Sequence, residues 1–210
     1  MHAKFFRWLV IFLFICACDA FAGLRVDRLR CEYLENPLGI DVAQPRLSWI
    51  LDSSERGQKQ TAYQILAASS AGELEKDRGD LWNSGKISSD QTTFVVYGGK
   101  PLASRQACFW KVRSWGQDGK PSPWSKVAFW EMGLLKTDDW QAQWIARTTN
   151  IDELPAPLLR RELTLDGKIK RARVYLGGLG YYELHINGQI VGDQLLDPGY
   201  TRYSSEERRV

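Results

Sequence analysis

The stretch 107–115, "ACFWKVRSW", alternates without a break. Cys108, Trp110, Val112 and Ser114 share one side, and Phe109, Lys111, Arg113 and Trp115 share the other. A period of two puts successive side chains on opposite faces of a strand, so nine such residues predict a strand with an apolar face carrying Trp110. Turn signals close it downstream at Asp118-Gly119-Lys120-Pro121 and Ser122-Pro123. Upstream, Gly98-Gly99-Lys100-Pro101 separates it from the run before.

Working outward, the same texture recurs. Leu24–Tyr33, Pro45–Leu51, Ala62–Ala68, Thr92–Tyr97 and Lys126–Met132 read as further strands, broken at Asn36-Pro37 and Asp52–Gly57. Helical periodicity is nearly absent. Ala71–Asp80 is the one helical piece, predicted as a turn or two between strands. Six or seven short strands at this spacing predict an all-β chain whose first domain, residues 23–136, is a single fibronectin type III or immunoglobulin-like sandwich. Trp49, Trp82, Trp110, Trp124 and Trp130 lie on or beside its strands and are expected in its packing.

Gly133–Asp139 marks a boundary, and the region 137–210 starts a second β series. Its expected strands are Leu158–Leu165, Lys170–Leu176, Tyr181–Asn187 and Gln189–Val191. Tyr182, Leu184 and Ile186 share one face of the third, and Tyr181, Glu183 and His185 the other. Asn187-Gly188 is the preferred pair for a type I′ hairpin turn, because both central residues need positive φ. Four strands would leave an uncovered apolar face and a free edge. The region therefore reads as the start of an incomplete sandwich. Trp140 and Trp144 are expected at an interdomain seam.

Residues 1–22 read as a secretory signal peptide. Lys4 and Arg7 precede the apolar run Trp8–Ala17, and Ala20-Phe21-Ala22 is an A-x-A cleavage site ahead of Gly23. Ile15-Cys16-Ala17-Cys18 offers a second route, with Cys18 lipidated. The expected location is the periplasm or the exterior, with an outer-surface lipoprotein as the alternative. After cleavage, 26 basic and 24 acidic residues remain, a balance that argues against nucleic acid as partner. No further apolar run is long enough to cross a membrane. Cys31 and Cys108 survive maturation and could pair or stay free.

Catalytic patterns are missing. His185 is the only histidine left after cleavage, and no clustered cysteines accompany it as a zinc ligand set. G-x-S-x-G, the P-loop and G-x-G-x-x-G do not occur. The acid pairs Asp138-Asp139, Asp152-Glu153 and Glu206-Glu207 sit in turns or at strand ends, where a solvated surface is the ordinary explanation. No catalytic residue is assigned. The candidate carbohydrate-binding residues are Tyr181, Asn187, Asp193, Asp197 and Tyr200, around the second-domain hairpin. Asn187 has a second explanation in the turn itself.

Several stretches carry a family resemblance. "LRCEYLENPLGIDVAQPRLSWIL", "QTAYQILAAS", "LWNSGKISSDQT", "CFWKVRSWGQDGKPSPWS" and "DWQAQWI" resemble the N-terminal module of bacterial α-L-rhamnosidases. "PAPLLRRELTL" and "RARVYLGGLGYYELHINGQIVGDQLLDPGYTRYS" resemble the module that follows. The resemblance implies a fibronectin type III-like sandwich, then the start of a galactose-binding-like jelly roll that in some relatives binds rhamnose with calcium. It also implies that catalysis belongs to a helical barrel further along, with no counterpart here. The expected function is therefore an accessory, non-catalytic N-terminal part of a hydrolase of rhamnose-containing glycans, packing on that barrel. A stand-alone carbohydrate-binding or adhesion protein is the alternative.

Overall fold

The computed structural model describes residues 23–146 and 156–192, and the chain falls into two units, 1–135 and 136–210. Residues 1–22, expected as a signal peptide, lie outside the described residues, Cys18 among them.

The first unit is a two-sheet sandwich. β1 (Arg25–Cys31) pairs antiparallel with β2 (Arg46–Asp52), and β2 pairs with the short β6 (Val95–Val96). The second sheet runs β4 (Trp82–Asn83), β3 (Ala62–Ala68), β7 (Ala107–Trp115) and β8 (Ala128–Glu131), with β5 (Ile87–Ser88) also paired to β3. β3 and β7 form the long central ladder, in register from Ala62 opposite Trp115 to Ala68 opposite Phe109. Segment 36–40 then crosses to the other sheet. Glu131 N donates to Pro37 O at 3.0 Å and Gly133 N to Ile40 O at 2.7 Å, which sets Ile40 parallel to Met132.

The alternation of β7 explains the core. Cys108, Trp110 and Val112 are fully buried in one cluster with Ile65 and Trp130 of their own sheet and Leu47 and Trp49 of the other. Tyr97 meets Trp82 and Trp130 edge to face at centroid distances of 5.3 and 5.8 Å, and Trp130 meets Trp110 at 6.3 Å. Burying one such ring is worth about 4–6 kcal/mol by area, as an upper bound. Polar groups in the core are satisfied. Gln60 accepts from Trp49 Nε1 at 3.1 Å and from Ser114 Oγ at 2.7 Å, and donates to Gln91 O at 2.8 Å. Cys31 and Cys108 are both free and buried, and burial pushes each thiol up to about 12.

The other side of β7 is covered in part as well. Lys111 and Trp115 are buried there. Helix α1 (Ala71–Glu75), shorter than the expected 71–80, lays Leu74 on this face beside Leu66, Ala68, Phe109 and Trp124. Ser70 caps it by accepting from Glu73 N at 3.3 Å. Lys111 Nζ reaches the Leu74 carbonyl and the Asp77 carboxylate, and it stands 4.9 Å from the Trp124 ring centroid. Arg113 bridges the Trp124 and Trp115 rings at 4.6 and 5.0 Å.

In the second unit, the only strands among the described residues are β9 (His185–Ile186) and β10 (Gln189–Ile190). The expected strands Leu158–Leu165 and Lys170–Leu176 do not form there. A strand is stabilised by cross-strand pairs and a covered face, and Leu163, Leu165, Val174 and Leu176 are all exposed. The hairpin turn forms as expected, with Asn187 at φ 51° and Gly188 at φ 79°.

Candidate functional site

Of the candidate sugar-binding set, Tyr181 and Asn187 are among the described residues. Tyr181 is exposed and precedes the paired residues, whereas Asn187 occupies the tip in a left-handed conformation. The turn thus accounts for Asn187. Asp193, Asp197 and Tyr200 lie outside the described residues. His185 Nε2 is 3.3 Å from Glu183 Oε2, on the exposed side. Calcium takes six to eight oxygen ligands. Among the described residues no cluster of three or more His, Cys, Asp or Glu is placed to hold a metal ion. Trp140 and Trp144 belong to the second unit. A Cβ built on Gly177 would lie 4.0 Å from a ring carbon of each, so both indoles approach that glycine.

A better-built constellation lies in the first unit, where sequence reasoning placed nothing. Cys31–Leu34 is a two-residue hairpin turn, closed by Cys31 N to Leu34 O at 2.9 Å and Leu34 N to Cys31 O at 3.0 Å. Its central residues, Glu32 and Tyr33, have φ of 47° and 69°, and Phe94 has φ of 56°. Side-chain-bearing residues of these types hold left-handed backbone at a cost on the order of 1–3 kcal/mol each.

The turn points Glu32 at Arg46, the first residue of β2. Arg46 N and Nη2 each donate to the carboxylate at 2.6 Å, and Nε donates to both oxygens at 3.2 Å. The Arg46 side-chain bonds hold the Glu32 carboxyl below its usual range, against a smaller opposing effect of burial. The Arg46 guanidinium stands 5.4 Å from the Tyr33 ring centroid and 5.6 Å from that of Phe94. The two rings meet edge to face at 5.3 Å. The available signal was the pairing of "CEYL" with "PRLSW", separated by fourteen positions between Glu32 and Arg46. The left-handed backbone had none, since no glycine or asparagine marks it.

The constellation falls inside residues 26–136, which match the family model described as "Rha78A-like, N-terminal immunoglobulin domain". The chain belongs to this α-L-rhamnosidase family. Residues 167–208 also match the α-L-rhamnosidase N-terminal domain. An α-L-rhamnosidase of Formosa agariphila is 42% identical over 182 residues, covering 82% of this chain and 19% of the relative. A second from that organism is 33% identical over 222 residues, covering 94% and 23%. Among solved structures, the α-L-rhamnosidase from Dictyoglumus thermophilum aligns at TM-score 0.76 with 38% identity, over 84% of this chain and 21% of that one. The Streptomyces avermitilis α-L-rhamnosidase complexed with L-rhamnose aligns at 0.57 with 46% identity, over 59% and 12%. The chain thus spans about a fifth of the length of the α-L-rhamnosidases it matches over most of its residues.

Proposed function

We propose that this chain is the N-terminal accessory part of an exported α-L-rhamnosidase-like glycoside hydrolase acting on rhamnose-containing glycans, and that it orients a catalytic region carried elsewhere in the polypeptide. The observation that carries the reading is the succession of two α-L-rhamnosidase N-terminal matches, at 26–136 and 167–208, in one chain. Under it, the second unit is the beginning of a jelly roll. The exposed leucines of 158–176, with Ile169 and Val174, are then side chains awaiting a covering layer.

Glycoside hydrolysis needs two carboxylates facing each other about 5–10 Å apart across a cleft. Many described acids already have other partners. Glu32 holds Arg46, Glu73 holds Arg78, Asp77 holds Lys111 and Asp80 accepts from Ser69. Under this reading the chain's contribution is packing and positioning rather than bond cleavage. Export rests on Lys4, Arg7, the Trp8–Ala17 run and the Ala20-Phe21-Ala22 site. N-terminal sequencing of the mature protein should begin at Gly23, whereas a lipid-blocked Cys18 would mark the lipoprotein route.

Hydrolysis of a chromogenic α-L-rhamnopyranoside tests the main reading. The chain of 210 residues should release no aglycone, and a polypeptide that joins it to a rhamnosidase catalytic region should release it. Turnover by the 210-residue chain alone would sink the accessory role.

A further inference from the structure

We propose that the aromatic lip made by Tyr33 and Phe94 around Arg46 is the surface by which this chain docks onto the remainder of a rhamnosidase polypeptide; this rests on the accessory reading above. The lip stands on the outer face of the sheet β1-β2-β6. Leu47 and Val95 point inward and are buried, whereas Arg46 and its register partner Val96 point outward.

Three observations converge on it. The first is presentation: the two-residue turn holds Glu32 and Tyr33 in left-handed backbone, Phe94 shares that conformation without such a turn, and Tyr33 and Phe94 remain 59% and 45% exposed. Left-handed backbone such as that of Phe94 collects where the presented side chains meet something else. The second is composition and preparation. Tyrosine and arginine are the residues that anchor protein interfaces. Arg46 is already fixed on two sides by Glu32, so little side-chain freedom is left to lose on binding. Exposed Leu34 and Val96 adjoin this lip along the chain and the sheet register.

The third fixes the occupant. This chain spans 19–23% of the curated relatives it matches over most of its length, so those relatives carry a large remainder in the same polypeptide. A tethered partner has a high effective concentration, and a small surface then suffices. A sugar fits less well, because the guanidinium already stands over the rings on which a pyranose would stack.

The test mixes the 210-residue chain with the Formosa agariphila relative lacking its matching N-terminal segment, and reads the dissociation constant by titration calorimetry. Association is expected, weakened more than about tenfold by the double change Tyr33→Ala and Phe94→Ala, as for an interface hot spot. The ring-preserving pair Tyr33→Phe and Phe94→Tyr should keep it, as should Ile87→Ala on the other sheet. Near-ultraviolet circular dichroism confirms that each variant is folded. Unchanged affinity in the folded alanine variant overturns the docking surface and leaves the accessory role standing. No association by the unsubstituted chain overturns both. Binding of a rhamnose oligosaccharide abolished by the same double change, without protein association, would make the lip a sugar site and overturn the proposal.

Discussion

The two units use similar alphabets with opposite results. In the first, Trp49, Trp110 and Trp130 are almost wholly enclosed, and β3 and β7 pair over seven consecutive positions. In the second, Leu158, Leu163, Trp144 and Ile145 are at least 70% exposed, and strand pairing among the described residues is limited to two rungs at the hairpin. Both contain alternating apolar runs. What separates them is whether a second layer faces the first. Alternation gives a strand the capacity to bury one face, and only a facing sheet turns that capacity into stability.

The sharpest way to probe the contrast is Trp110→Ala. A buried tryptophan replaced by alanine should remove about 3–5 kcal/mol. Chemical denaturation followed by tryptophan fluorescence reads that loss, while the nuclear magnetic resonance signals of His185–Ile190 should stay in place. Hairpin signals that vanish together with the first unit would break the separation of the two. A smaller effect is expected in the other direction. Gly188 sits at φ 79°, so Gly188→Ala should cost the hairpin roughly 1–2 kcal/mol. Loss of the cross-strand contact between His185 and Ile190, with the unfolding midpoint of the first unit unchanged, is the result that fits.

The smallest effect concerns pH. Arg46 lowers the Glu32 carboxyl below its ordinary 4.5, so the folded state holds its proton less tightly than the unfolded chain. The contribution is complete above 4.5 and fades as pH falls through the lowered folded value. The stability gap between the native chain and Glu32→Gln should narrow on acidification below that range. A gap that stays constant or widens would remove the pair from the acid response. Its exposure keeps the effect modest.

Much of the first unit was legible because its strands announce themselves by alternation and its turns by proline and glycine. The inward set of β7 follows directly from "CFWKVRS". Its outward set does not, because burial of Lys111 depends on Leu74 and Trp124 arriving from elsewhere in the chain. Strands 158–165 and 170–176 show the converse, since their alternation could be read but a pairing partner could not. The lip was invisible for a local reason. Its residues adopt left-handed backbone without the glycine or asparagine that would advertise it, and the ion pair that holds it joins distant positions.

The crossing of segment 36–40 has a mechanical consequence. After β1 the chain passes Ile40 in the same direction as it later leaves the sandwich at Met132, and the two lie side by side. Tension applied between the two ends reaches this pair once β1 has come away from β2, and then pulls the neighbours past one another lengthwise. The bonds from Glu131 N to Pro37 O, Ile40 N to Glu131 O and Gly133 N to Ile40 O then share the load at once instead of opening one after another. The fold is braced along the axis on which a tethered neighbour would tug.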